Sequence, residues 1–255
     1  MKKFVRKLDK NEIPVCNILG VDIAAINMEW LLKYLDKNMK CLKGDYICVS
    51  NVHTTVTSYE NSEYRNIQNS GIMAIPDGGP LSTIGRKRGF QDMERTPGPT
   101  LMKELFEHAD IYKFTHYFYG STNDTLTKMK KKLKEKYPDL KIVGTYSPPF
   151  RPLTKQEDEE IIYNINKSNA DIVWIGLGAP KQENWMYEHQ GKINSLMIGV
   201  GAGFDYFAEN IKRAPKWMQQ TNLEWVYRLM QDPKRLFKRY IDTNTKFMWY
   251  IRNEK

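Results

Sequence analysis

The sequence is poor in the residues that mark redox, metal and membrane chemistry. It has three cysteines in 255 residues (Cys16, Cys41 and Cys48), with no CxxC spacing. An odd, unpaired set suits a reducing compartment and supplies neither a disulfide frame nor a zinc site. The four histidines (His53, His108, His116 and His189) are scattered and no HExxH occurs, so no metal ligands are assigned. The most apolar stretch runs only from Ala170 to Pro180, whereas a bilayer span needs about 20 apolar residues. The basic start, Met1-Lys2-Lys3, has no apolar region behind it, so no secretory signal is expected. There is no GxGxxG after the first strand-like run and no GxxxxGK[ST], which disfavours dinucleotide oxidoreductases and P-loop enzymes. Asp-x-Asp, with which many nucleotide-sugar transferases hold a divalent ion, is also missing.

The residues that are present describe a globular chain. Apolar residues make up 41% and aromatics 12%, enough to build a core and too much for a disordered segment. The formal net charge is +9, and it is unevenly placed. Residues 212–255 hold eleven Lys and Arg against four Asp and Glu, or +7, which leaves +2 for the first 211 residues. Three of the six tryptophans (Trp217, Trp225 and Trp249) lie in the same stretch, with Phe237, Tyr240, Phe247 and Tyr250. Cations interleaved with aromatics suit an anionic, partly apolar surface such as lipid headgroups. The same mixture fits nucleic acid, or a last helical layer with a solvated basic face. The other lysine-rich run, Lys128 to Lys136, reads as a solvated helix face, because Leu126, Met129 and Leu133 recur at helical spacing.

Strand-like and helix-like segments alternate. Tyr46–Ser50, Gly71–Pro76, Lys113–Tyr119, Lys141–Tyr146, Asp171–Leu177 and Leu196–Val200 read as buried strands. The spacing predicts helices over His53–Asn69, Pro99–His108, the run up to Tyr137, Thr154–Ser168 and Lys181–His189; Thr154 and Glu157 form a capping box. This order implies an α/β fold, a Rossmann-like and mostly parallel sheet with helices on both faces. One core is expected over residues 1–211, followed by a helical basic appendage over 212–255, with Arg213-Ala214-Pro215 at the boundary.

Ligands of open parallel sheets bind beyond the carboxyl ends of the strands, and the sequence places unusual residues there. Asn51, His53 and Thr54 follow one strand, and Asp77 and Gly78 follow the next. Gly120 and Ser121 open the basic helix, as a diphosphate cradle or an ordinary cap. Gly178, Pro180, Gln182 and Glu183 follow a later strand, and Gly203 and Asp205 follow the last. Asp77, set between a proline and two glycines, is a candidate general base or an Asx-turn aspartate. His53 reads as a base, an orienting donor or a packed residue. Gln182 and Glu183 read as ligands of sugar hydroxyls or as favourable partners of a helix dipole.

These segments in this order resemble the WecG/TagA/CpsF family of bacterial glycosyltransferases. The resemblance rests on Ile18–Asp22, Ser50–Thr54, Pro76-Asp77-Gly78, Arg95–Thr100, Gly176–Trp185, Gly199–Asp205, Arg213–Pro215, Leu223–Trp225, Arg228-Leu229 and Asp232–Tyr240. It implies an inverting, metal-independent transferase without a resident cofactor. Such an enzyme moves a sugar from a UDP-sugar to a polyprenyl-diphosphate-linked saccharide at the inner face of the cytoplasmic membrane. Teichoic acid or exopolysaccharide assembly would use the product. The resemblance gives Asp77 the role of base and places Asn51, and His53 or Thr54, in the same pocket, with Gln182 near the donor. Arg213, Arg228, Arg235 and Arg239 of the appendage become candidates to meet the diphosphate, since an arginine fork suits it better than a lysine. Many members carry Asn-Pro or Asn-Ala where this chain has Asn51-Val52-His53-Thr54, so a donor of N-acetylmannosamine, glucose or galactose type stays open. A homo-oligomer is compatible with the same sequence. A nucleic-acid-binding protein and another nucleotide-sugar enzyme, such as a hydrolase or epimerase, are the competing readings; no nucleic-acid motif supports the first and the missing dinucleotide fingerprint weakens the second.

Overall fold

Apolar runs with β-branched and aromatic residues become strands here because both of their faces are covered. The computed structural model describes residues 12–221 and 223–254; the side chains of Gln220 and Arg235 lie outside the description. Eight strands are described: β1 (Val15–Ile18), β2 (Val21–Ala24), β3 (Tyr46–Ser50), β4 (Met73–Pro76), β5 (Thr115–Gly120), β6 (Lys141–Tyr146), β7 (Ile172–Gly176) and β8 (Leu196–Gly199). They form one sheet in the order β1-β2-β4-β3-β8-β7-β5-β6. Only β1 and β2 pair antiparallel; every other pairing is parallel. The helices are α1 (Met28–Leu42), α2 (Val52–Glu60), α3 (Ser62–Ser70), α4 (Gly79–Lys87), α5 (Gly98–Glu107), α6 (Ala109–Tyr112), α7 (Asn123–Lys136), α8 (Lys155–Lys167), α9 (Lys181–Glu188), α10 (Gly203–Phe207), α11 (Lys216–Gln220), α12 (Glu224–Gln231) and α13 (Pro233–Asn253).

Strand residues alternate between two cores, as the two-residue period of a strand requires. Ile47, Val49, Phe118, Ile172 and Trp174 face one cluster, where α1, α5 and α7 contribute Leu31, Leu35, Leu105, Phe106, Met129 and Leu133. Tyr46, Cys48, Tyr119, Val173 and Ile175 face the other, with Val56, Ile161, Ile165, Trp185, Met186 and Phe247. Helices therefore cover both faces, as the strand pattern predicts. Each large apolar side chain buried in this way contributes about 1.5–3 kcal/mol. His116 lies in the first core, where its Nδ1 accepts from Trp174 Nε1 at 3.1 Å; burial pushes its pKa down to about 3, so the ring is neutral.

Two differences from the sequence reading have local causes. The expected helix over His53–Asn69 is two helices, because Asn61 turns extended and its side chain caps the start of α3. The strand before α2 is the third in the chain and the fourth across the sheet. A hairpin precedes it, closed by Leu19 (φ 52°) and Gly20 (φ 82°). Two successive positive φ values are what a type I′ turn requires.

The appendage is less separate than its composition suggests. α13 packs along α2, burying Phe247 to 1% exposure, and Tyr59 and Tyr250 meet at 4.4 Å between ring centres. Lys246 pairs with Glu60 at 3.0 Å. At the far end of the helix, Glu254 accepts from the Leu19 amide at 2.8 Å and pairs with Arg88, tying the helix to the first hairpin.

Candidate active site

β3 and β4 lie side by side and parallel, so their carboxyl ends deliver Asn51 and Asp77 to one place. The Asp77 amide donates to the Ser50 carbonyl at 2.8 Å, which fixes the turn after β4. Gly78 is the N-cap position of α4 and lies close to the Asn51 backbone; a Cβ there would stand 3.7 Å from Asn51 Cα. The Asp77 carboxylate is partly open, at 30% exposure. Desolvation raises its pKa, with Glu224 adding to the effect, while Arg95, Arg228 and Arg213 oppose it. A carboxylate whose pKa is raised is a stronger base and so better matched to accept a proton from a hydroxyl.

Three arginines converge on this carboxylate. Arg95, on the loop between α4 and α5, donates Nε to the Asp77 carbonyl at 2.9 Å and Nη1 to the Gln219 carbonyl at 3.0 Å. Its Nη2 bonds Glu224 at 3.0 Å and lies 3.8 Å from Asp77 Oδ1. Arg213 donates to Thr100 Oγ1 at 2.5 Å and places Nε 3.7 Å from the other oxygen of Glu224. Arg228 stands 5.7 Å over the Tyr206 ring. Burial, together with Glu224 and Asp77, pushes the Tyr206 hydroxyl up to about 12 against the opposing arginines. Core and appendage thus meet at Asp77 through shared guanidinium groups. Preformed guanidinium groups beside a base can stabilise charge on a leaving phosphate.

The other predicted positions divide. Asn51 lies beside Asp77, but its side-chain oxygen caps α2, accepting from the amides of His53 (3.0 Å) and Thr54 (3.2 Å). Thr54 is buried and closes the capping box, accepting from the Asn51 amide at 2.9 Å and donating to the Asn51 carbonyl at 3.0 Å. Its hydroxyl is committed to the helix start, so the catalytic assignment of Thr54 is corrected to a structural one. His53 faces α13. Burial and then Arg239 depress its pKa, and its Nδ1 has no partner among the described residues. The depressed pKa favours a neutral ring beside Arg239, with Asp242 opposing the shift. The Arg235 side chain lies outside the described residues.

Glu183 is fully buried and cannot touch a sugar, which corrects its assignment as a ligand. Gln182 is almost as buried; its Nε2 donates to Glu183 at 2.6 Å and its Oε1 accepts from the Gly201 amide at 3.0 Å. This pair braces the loop after β8. It is part of a buried polar layer: Gln68 donates to the Tyr64 hydroxyl at 3.1 Å, Ser50 donates to Gln68 at 2.6 Å, and Tyr64 faces Glu183. Desolvation raises the Glu183 pKa.

Gly120 (φ 120°) is required by packing, since a Cβ would come within 2.7 Å of the Gly176 backbone. The Ser121 amide donates to the Gly176 carbonyl at 3.1 Å, so it is not free for a phosphate, and Thr122 is the residue that caps α7. These two positions lie four strands from Asp77, roughly 19 Å at the usual strand spacing. Gly203 packs against Met102 and Val200, and Asp205 accepts from the Asn210 side chain at 3.1 Å. Gly178 and Pro180 form the open loop leading into α9. Arg95 is the residue that sequence reasoning missed as a site group. Its signal was a lone arginine opening the Arg95–Thr100 segment, 18 positions from Asp77 in the chain.

Comparison with known proteins identifies the family of the chain. The model of the Glycosyl transferase WecG/TagA/CpsF family matches residues 16–255. An N-acetylglucosaminyldiphosphoundecaprenol N-acetyl-beta-D-mannosaminyltransferase of Bacillus subtilis (strain 168) is 29% identical over 231 residues, covering 90% of this chain and 88% of the relative. The protein of the same description from Bacillus spizizenii is 29% identical over 203 residues, covering 79% and 76%. That of Staphylococcus aureus (strain MW2) is 25% identical over 223 residues, covering 86% of each. With the family match running through Asp77, the arginines around it and the whole of α13, the chain belongs to the WecG/TagA/CpsF family of glycosyltransferases.

Proposed function

We propose that the chain transfers a sugar with inversion from a UDP-sugar to a saccharide carried on a polyprenyl diphosphate, at the inner face of the cytoplasmic membrane. The observation that carries this reading is the Asp77 carboxylate, raised in pKa, at a strand end among Arg95, Arg213 and Arg228. The names of the relatives, which describe an undecaprenol diphosphate acceptor, support the lipid carrier. Asp77 takes the proton of the acceptor hydroxyl, and the oxygen attacks the anomeric carbon from the face opposite UDP. The bond to the UDP oxygen breaks, and the arginines meet the charge on the departing diphosphate. Of the four appendage arginines expected for that task, Arg213 and Arg228 lie near Asp77, and Arg95 of the core joins them.

The membrane reading rests on exposed apolar residues in α11 to α13. Trp217, Trp225, Met230, Phe237, Ile241, Met248 and Trp249 are exposed, and Phe237, Ile241 and Met248 recur at helical spacing on α13. Among the described residues no helix is long and apolar enough to cross a membrane, so this stripe is suited to lie on the surface with its flanking cations toward anionic headgroups.

The test is product analysis on a panel of UDP-sugars, with and without a lipid-diphosphate disaccharide or monosaccharide acceptor, beside co-sedimentation with anionic vesicles. Transfer that depends on the lipid acceptor is expected. Hydrolysis of the donor at the same rate without acceptor would sink the transferase reading, and equal sedimentation with neutral and anionic vesicles would sink the surface reading.

A further inference from the structure

A second cavity, of about 180 Å³, lies between α5, α7 and α10 and is bordered by the start of the appendage. Four cations line it: Lys103 from α5, Lys132 and Lys136 from α7, and Arg213. None of the three lysines is among the charged groups that act on Asp77. Among the described residues, Arg213 and Tyr206 border both this cavity and the Asp77 cluster.

Two polar atoms here find no hydrogen-bond partner among the described residues. The Tyr137 hydroxyl is buried and unpartnered, although Tyr137 as a whole is only 7% exposed. It lies near enough to Lys103 to act on that ammonium, and Lys136 stands 5.2 Å over its ring. Arg213 Nε is the second buried atom without a hydrogen bond, although it stands in an ion pair with Glu224 at 3.7 Å. Leaving such a group unpaired costs about 1–3 kcal/mol, so a ligand that pairs with it gains that stabilisation.

The acids near the cavity are exposed or shared. Glu209 pairs with Lys132, and Glu107 pairs with Lys103, with Glu104 4.0 Å from the same ammonium. Glu209 has 72% of its side chain exposed, and ion pairs of this kind are worth little and exchange readily. Pro99, Leu133 and Phe207 form an apolar wall, and the remaining polar groups are three ammonium groups, a guanidinium and the phenols of Tyr137 and Tyr206. Such a set calls for a compact ligand rich in acceptor oxygens.

We propose that this cavity binds a soluble phosphate-bearing molecule, a phosphate monoester or a diphosphate, at a site separate from the donor site at Asp77. The ligand would bridge Lys103 and Lys136 and accept from Tyr137, with Arg213, which belongs to the Asp77 cluster, only at its border.

Calorimetric titration of the intact chain with inorganic pyrophosphate, in metal-free buffer and with UDP present at saturation, tests the assignment. A saturable heat is expected. Lys136→Ala and Tyr137→Phe should each weaken it, the first by about tenfold or more, as loss of a charge-assisted contact implies. Lys246→Ala, remote on α13, should leave it unchanged. Pyrophosphate binding that UDP abolishes, or that ignores both cavity variants, overturns the proposal. So does Lys136-dependent binding to phosphatidic acid vesicles without binding of free pyrophosphate. A separate UDP titration keeps the two readings distinct: a chain that fails to bind UDP but binds pyrophosphate through Lys136 loses the donor reading and keeps this one.

Discussion

The two ends of the appendage are held by different physics. The far end, on α13, is anchored by burial: Phe247 enters the core against α2, and Glu254 ties the last turn to the first hairpin. At the near end α11 buries Met218, but α12 is held by charge: it buries none of its residues, and Glu224 joins it to Arg95 and Arg213. The apolar anchor is indifferent to an arriving anion, whereas the ionic one competes with it for the same guanidinium groups. The basic segment is thus a core-anchored helix preceded by a charge-held turn, with Arg213 and Arg228 on the charge-held part. Removing all of it would strip the cover from α2 as well as the site, so point substitutions separate its roles better than truncation.

The largest effect is expected at the point where the two regions meet. Asp77→Asn should lower turnover by about 10²–10⁴-fold while UDP still binds, since a general base is worth that much; near-normal turnover would remove Asp77 from the mechanism. The buried anchor comes next. Phe247→Ala should destabilise the chain by about 3–5 kcal/mol, read as a shift in the denaturation midpoint, and a shift under about 1 kcal/mol would show that α13 is not part of the core. At the charge-held end, Glu224→Gln should cost much less stability, about 1 kcal/mol, yet raise amide exchange across α12 selectively. Unchanged exchange there would mean that apolar contacts, not Glu224, hold the turn.

The smallest effect is that of pH. The folded protein raises the pKa of Asp77, so the proton binds more tightly in the fold than in the unfolded chain. Stability from this group is full below the ordinary carboxylate pKa and is lost as pH rises through the raised one. Activity runs the other way, because the base works ionised: kcat/KM should rise with pH through that same value. Asp77→Asn should therefore remove the pH-dependent loss of stability along with the activity, and a wild-type kcat/KM that is flat from the ordinary carboxylate range to neutrality would contradict the base assignment.

Much of the core was legible in the sequence. Strands whose two faces are both covered are continuously apolar, so Tyr46–Ser50 and Ile172–Gly176 declare themselves without reference to any partner. The capping box at Thr154 and Glu157 is local and was equally readable. The hairpin before β3 was not, because its register depends on Ile23 pairing with Ala74, 51 residues away. In the site, Asp77 stood out because strand-end position and neighbouring glycines are local features. Arg95 did not, since its partners Asp77, Gln219 and Glu224 are brought to it only by the fold. Thr54 and Glu183 misled for a related reason: a polar residue after a strand has the same signature whether it faces the cleft or turns inward to cap and brace.

The sequence by itself determined the alternation of strand and helix, the strand ends at which Asn51 and Asp77 emerge, and the concentration of cations and aromatics after residue 212. These depend on spacing and composition, which are properties of the chain read in order. Only the tertiary structure decided which arginines surround Asp77, that Glu183 is sealed in the core, that Phe247 is an anchor while Trp249 is exposed, and that three lysines and an unpaired tyrosine share a cavity. Those outcomes rest on burial and on Coulomb contacts between residues far apart in the chain, and such terms have no value until the sheet and its two helical layers have closed around them.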